Sequence, residues 1–346
     1  MQQTTLRLIA VRQAPRAITL LWPGRIRLTG LLAVARYVLG GLWLLDGLLQ
    51  LQPYMFTPGF ARQIVAPAAA GQPSWVAGPV TWSAGLMQRQ PVLADATFAA
   101  VQILLGLAIL WRRSARGGLA VSMAWALGVW YFGEALGGMA SGGANILTGA
   151  PGAVVLYLLA AAVLLCASAG RQRAAGRCSA VSWACVWTTG AVLALAGAQY
   201  VPSAQKATAQ QSYAVVPGIL SGADHAFWHF MAASRGPGLV LAGLELVLAT
   251  GAFAPAKWRR AAALGGALLG AVVWVFGEGL GGLWSGSATD PNSGPLLVLL
   301  ALLLAATSPA AQTRPEPEKT PLFVIRAGGQ LRNQSAIPPR RQRRQL

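Results

Sequence analysis

The residues able to do chemistry in this sequence are a few acids set inside long apolar runs. Two of them, Glu134 and Glu278, lie in matching stretches. Val129–Gly142 reads VWYFGEALGGMASG and Val273–Gly286 reads VWVFGEGLGGLWSG, identical at ten of fourteen positions. Trp130 and Trp274, four residues before each glutamate, share its helical face and can wall the same pocket or simply pack. A charge near the centre of a bilayer costs about 2.5–3.5 kcal/mol, so each intramembrane ionisable group needs a partner, a watery cavity or a task. Arg36, Asp46, Gln102, Glu134, Glu245 and Glu278 are the polar groups that face this demand. A carboxylate so placed can exchange a proton or hold a hydrogen-bond donor. The residue types name no particular reaction, and no catalytic residue is assigned.

The two histidines offer a different chemistry. His225 and His229 sit four apart in Asp224-His225-Ala226-Phe227-Trp228-His229, a spacing that places both on one side of a helix. Asp224 is a candidate third metal ligand, with Met231 another, since two ligands do not complete a zinc or copper site. Cys166, Cys178 and Cys185 have no metal-ligand spacing and read as small apolar residues or free thiols. The sequence contains no phosphate-binding Gly-Lys-Ser/Thr loop, nucleophile elbow or haem-attachment motif.

The elements that position these groups are membrane helices. Hydrophobic residues make up 55% of the chain, charged residues 10%, and mean hydropathy is +0.52. A helix needs about twenty apolar residues to cross about 30 Å of hydrocarbon, and eight runs qualify: about 30–50, 92–111, 117–137, 151–169, 180–200, 237–254, 261–281 and 294–311. The expected fold is an all-α membrane protein of eight transmembrane helices in two tandem parallel four-helix repeats. Its parts are a basic segment 1–29, repeats 30–170 and 171–311, and a disordered basic tail 312–346. Amphipathic interfacial helices are expected in both long connections, around residues 80–87 and around the histidines.

The net charge of +18 would suggest a nucleic-acid partner in a soluble chain. Here it reads as topology, with anionic lipid headgroups as the expected contact and no nucleic acid. Twenty-two Lys and Arg residues fall in the N-terminal segment, three short linkers and the tail, against four in the opposite connections. That bias predicts a multi-pass protein of a bacterial-type plasma membrane with both termini cytoplasmic. Four spans per half make the repeat parallel, so paired residues lie at equal depth. Glu134 and Glu278 each stand eighteen residues past an arginine, Arg116 or Arg260, which puts them roughly 27 Å up, near the outer boundary. Asp46 falls at a similar level. The expected site is a polar pocket in the outer half of the membrane, with Arg36 paired to Glu245.

Two stretches carry a family resemblance. Leu241–Leu268 (LAGLELVLATGAFAPAKWRRAAALGGAL) resembles the DoxX family of small four-helix membrane proteins, which carry an acid in the second helix, a Gly-rich exit and a basic turn. Ala35–Gly47 (ARYVLGGLWLLDG) is similar to that family's opening helix, and the long outer connection after the first helix also fits. The chain thus looks like two fused DoxX-like units. Glu245 matches the family's acid, whereas Gln102 departs from it. The departure implies inequivalent halves, with any chemistry in the second.

The wider group includes DoxD, associated with thiosulfate:quinone oxidoreduction. The resemblance therefore implies a redox-associated subunit that binds a quinone headgroup or small solute, with a redox partner subunit. Two other classes accommodate the same residues: a small-solute transporter and a non-catalytic assembly protein that binds partner helices. The sequence names no oligomeric state.

Overall fold

The structure is a computed structural model describing residues 28–142, 144–196 and 216–308. The basic N-terminal segment before residue 28, most of the second long connection and the polybasic tail lie outside these residues. Every regular element described is helical. In chain order these are α1 (Leu28–Leu49), α2 (Ser74–Arg89), α3 (Pro91–Leu110), α4 (Ala115–Phe132) and α5 (Ala153–Ser168). Then come α6 (Gln172–Ala196), α7 (Ser221–Ala232), α8 (Gly236–Gly251), α9 (Ala256–Val272) and α10 (Ser293–Ala306).

Four helical stretches are long and apolar enough to cross a membrane: Gly30–Leu49, Pro91–Leu110, Gln172–Ala196 and Ala256–Gly277. The number rises to six if two bent pairs each count as one span. One pair is α4 with the turn Ala135–Ser141, bent by 41°, and the other is Gly218–Ala232 with α8, bent by 95°. The helices α5 and α10 are shorter, at 16 and 14 residues, or roughly 24 and 21 Å. Both are apolar around the whole circumference and deeply buried, as expected of helices surrounded by others.

Helix α1 packs on α3, α3 on α4, and α4 on α5; likewise α6 packs on α8, α8 on α9, and α9 on α10. Helix α5 touches α6, α10 touches α1, and α5 and α10 meet each other. Glycines permit the closest crossing. A Cβ on Gly106 of α3 would stand 2.8 Å from the carbonyl oxygen of Gly40 in α1, and one on Gly47 would stand 2.8 Å from the nitrogen of Ile103. Small residues drive such packing in lipid, where neighbouring helices gain little from the hydrophobic effect.

The first long connection folds on itself. Met55, Phe60 and Val65 pack under Val76, Val80 and Ala84 of α2, while Trp75 and Trp82 stay exposed. This cap is tied down where α4 ends: Ser83 donates to the carbonyl of Phe132 at 2.6 Å, and Tyr131 to that of Trp75 at 2.9 Å. Helix α7 is held in a parallel way, with the indole of Trp228 donating to the carbonyl of Phe276 at 2.8 Å.

Candidate functional site

Each Phe-Gly-Glu-x-Leu-Gly-Gly stretch builds the same corner. The helix stops at the glutamate, whose backbone N–H bonds to Val129 or Val273. The chain then turns through left-handed backbone at Leu136 (φ 58°) and Leu280 (φ 57°), followed by Gly137 and Gly281 (φ 64° and 71°). Such a run is strained for any side-chain-bearing residue, and the surrounding bonds must hold it. The indole N–H of Trp130 donates to the carbonyl of Pro151 at 2.8 Å, and that of Trp274 to the carbonyl of Pro291 at 2.8 Å. Both tryptophans act as braces between a helix end and the start of the next helix.

The glutamates hold those helix starts. The first N–H groups of a helix have no partner within it, and inside a protein bundle water cannot serve them all. Glu278 accepts from the backbone of Ser293 at 3.1 Å, from the Ser293 hydroxyl, and from the backbone of Gly294 at 3.0 Å. Both of its oxygens are occupied. Negative charge at a helix N-terminus is also favoured by the aligned peptide dipoles.

Glu134 does half as much. One oxygen accepts from the backbone of Val154 at 3.2 Å, and the other has no partner among the described residues. That oxygen belongs to a residue lining a cavity of about 360 Å³ between α1, α3, α4 and the cap formed by the first connection. Asp46 and Gln102 line it too, and so do Trp43, Gln50, Trp125 and Asp290. Asp46, Glu134 and Asp290 are close enough to act on one another electrostatically. The Tyr157 ring packs against Trp43 at 4.4 Å between centroids, tilted by 44°, with its hydroxyl beside Asp46. Phe98 meets Trp125 edge-on at 5.6 Å.

The cavity wall carries unmet polar atoms. The indole nitrogens of Trp43 and Trp125, Oδ1 of Asp46, and the side-chain oxygens of Gln50 and Gln102 all lack partners among the described residues. Trp43, Asp46, Gln50 and Gln102 are 1%, 2%, 4% and 8% exposed, so bulk water does not explain them. Buried polar groups without partners are rare in folded proteins and cost about 1–3 kcal/mol each. Asp290 closes the wall from the far half of the chain. Its oxygens accept from the Thr289 hydroxyl and the Asn292 backbone, each at 2.7 Å, and its burial raises the carboxyl above the ordinary aspartate range.

The other expected residues fall elsewhere. Glu278 stands beside the cavity, coupled electrostatically to Glu134, but is fully engaged. Glu245 does not line it. That side chain is completely buried between α8 and Gly190 of α6, and neither oxygen has a partner among the described residues. Arg36 does not pair with Glu245. Its guanidinium donates to the carbonyls of Ile109 and Leu110, the last at 2.8 Å, closing the C-terminus of α3. The cavity is also not in the second half alone, as the Gln102 departure had suggested. First-half helices form it, with Thr289 and Asp290 completing the wall.

The metal set does not assemble. His225 and His229 are exposed on α7, whereas Asp224 is buried. Among the described residues no three His, Cys, Asp or Glu side chains gather closely enough to hold a metal ion.

Trp43, Gln50, Trp125, Tyr157, Asp95 and Asp290 were missed in the sequence. Asp95 carried a usable signal, an acid in the same apolar run as Gln102, and its side chain is buried with Oδ1 unpartnered among the described residues. Asp290 carried a weaker one, since it sits in a short linker and reads as a turn residue. Compared with protein-family models, curated proteins and solved structures, the chain matches none.

Proposed function

We propose that this is an eight-span integral membrane protein, built as two tandem parallel four-helix repeats, that binds a small amphipathic molecule in the cavity beneath its first outer connection. The observation that carries the reading is the group of unpartnered, deeply buried polar atoms around an otherwise aromatic and aliphatic space. Pockets that bind small molecules combine a mostly apolar wall with a few convergent polar groups. A set of donors and acceptors left unmet in the empty protein is met by a ligand's own groups.

The repeat reading is supported by the matching helix pairs and by the twin corners at Glu134 and Glu278. The skewed Lys and Arg count supports a plasma-membrane location with both termini cytoplasmic and the cavity in the outer half. Ile64 and Phe132, both about 41% exposed, lie at the cavity's edge, so a ligand can enter from the lipid side.

A DoxX-like, redox-associated role is the second reading, and the indole N–H groups of Trp43 and Trp125 favour it. Both are donors able to take the carbonyl oxygens of a quinone headgroup, and Glu134 or Asp46 can accept the proton that a quinol gives up.

The test is to purify the full chain in mild detergent, extract it and identify small molecules retained at near-stoichiometric amount by mass spectrometry. The reading requires that retention fall in Trp125→Ala and Glu134→Gln. Retention of nothing above the lipid background, with no added compound shifting the unfolding midpoint, overturns it.

A further inference from the structure

We infer that the cavity's preferred occupant is an organic cation, an ammonium-type group on an apolar or aromatic body. The inference rests on the cavity-binding reading above and adds the chemical class of the ligand. Three carboxyl groups, Asp46, Glu134 and Asp290, contribute to the cavity's lining, and among the described residues no Lys, Arg or His lines it. The three repel one another. Each is taken largely out of water, where an uncompensated charge is far more costly than at a surface.

The imbalance extends beyond the cavity. All seven Asp and Glu residues of the described segments are buried or half-buried, whereas Arg112, Arg113 and Arg171 are exposed at helix ends. The buried Arg259 and half-buried Arg36 are spent away from the cavity, on Gly176 and Thr307 and on the end of α3. The interior is thus poor in positive charge where the acids collect. A cation entering the cavity relieves the repulsion, and its N–H or polarised C–H groups face the free oxygens of Asp46 and Glu134. Gln50 and Gln102 can turn their carbonyls to it.

The aromatic wall suits the same occupant. Trp43, Phe98 and Trp125 present rings to the space, and ring faces attract cations by about 0.5–2 kcal/mol, most strongly when the cation is desolvated. Carboxylates and aromatic rings around a cavity of about 360 Å³ together describe a site for a small hydrophobic cation.

The experiment compares two probes of nearly identical shape, phenyltrimethylammonium and its neutral carbon counterpart tert-butylbenzene. A tail-free benzoquinone serves as a third. Binding to the detergent-purified full chain is read by equilibrium titration and by the shift in unfolding midpoint. The expected result is at least about tenfold tighter binding of the cation than of its neutral counterpart. That preference should collapse in Asp46→Asn and in Glu134→Gln, which keeps an acceptor for the Val154 N–H.

Equal binding of the matched pair, or a preference that survives both variants, overturns the cation assignment. Trp125-dependent binding of benzoquinone without the cation also overturns it, but leaves the cavity as a ligand site. Binding of no probe, with Trp125→Ala indistinguishable from wild type, removes both.

Discussion

Glu134, which lines the cavity, holds the backbone N–H of Val154 with one carboxylate oxygen, at 3.2 Å, and leaves the other without a partner among the described residues. Its counterpart in the second matching stretch, Glu278, spends both oxygens on the start of α10. One residue type in one local fold therefore serves two ends: Glu278 is a clamp, and Glu134 is a clamp with a free hand.

Substitution should separate the two roles. Glu278→Ala strands the N–H of Gly294 and the hydroxyl of Ser293, each worth about 1–3 kcal/mol when buried and unmet, while the Ser293 N–H keeps its bond to the Asn292 side chain. Glu134→Ala strands only that of Val154. The expected order of thermal unfolding midpoints in detergent is wild type, then Glu134→Ala, then Glu278→Ala. Equal losses would show that the extra bonds at Glu278 carry no stability.

The tryptophan braces should behave alike. Trp130→Phe and Trp274→Phe each keep most of the ring packing and remove one N–H donor to a proline carbonyl. A typical net loss is about 0.5–1.5 kcal/mol per bond. Chemical denaturation of both variants should give similar small destabilisation. A large loss at one alone would mean that its ring, and not its hydrogen bond, holds the corner.

Stability should fall as pH rises toward neutrality. Burial pushes the carboxyl of Glu278, just beyond the end of its span, up to about 7 from 4.5, against the pull of its bonds from Ser293 and Gly294. A carboxyl raised in the folded state favours folding when protonated. Its contribution is full below about 4.5 and is lost as pH climbs through about 7. Asp290 faces the same corner and acts in the same sense by repulsion. The unfolding midpoint of the wild type should drop across this window, and Glu278→Gln should flatten the drop. A midpoint that rises with pH would reverse the assignment.

Glu245 should tolerate an apolar replacement. Its buried oxygens lack partners among the described residues, so Glu245→Met removes an unmet polar group and fills similar volume. The expected change in stability is neutral or favourable. Conversely, Gly190→Ala places a Cβ 2.8 Å from the Glu245 carboxylate and should destabilise. A marked loss in Glu245→Met would reveal a partner outside the described residues.

Gly281 should resist even alanine. It combines φ 71° with a Cβ position 2.7 Å from the carbonyl oxygen of Pro291. Gly281→Ala therefore meets both backbone strain and a backbone clash, and the loss should exceed the about 1 kcal/mol usual for a glycine in left-handed backbone alone. Denaturation of this variant beside Gly142→Ala, whose Cβ has open space, separates clash from strain.

The sequence by itself determined the helical character and the presence of helices long and apolar enough to cross a membrane, because twenty-residue apolar runs have few other fates. It placed α1, α3 and α8 near their observed ends and expected helices where α2 and α7 lie. It began α6 about eight residues late, reading Arg173 and Arg177 as linker residues where the helix already runs from Gln172. It also singled out the glutamate corners, since a fourteen-residue repeat survives in the letters. Tertiary structure alone decided what each acid does. Depth along a helix follows from 1.5 Å per residue, but facing depends on which helices become neighbours. That neighbourhood brought Asp290 within electrostatic reach of Asp46 and set Glu245 beside Gly190. It also turned Arg36 toward the end of α3, where the free carbonyls of a helix terminus need donors. The difference between Glu134 and Glu278 was equally hidden. It rests on how the next helix begins, Ala153-Val154 in one case and Ser293-Gly294 in the other, and only the folded corner brings those residues to the carboxylate.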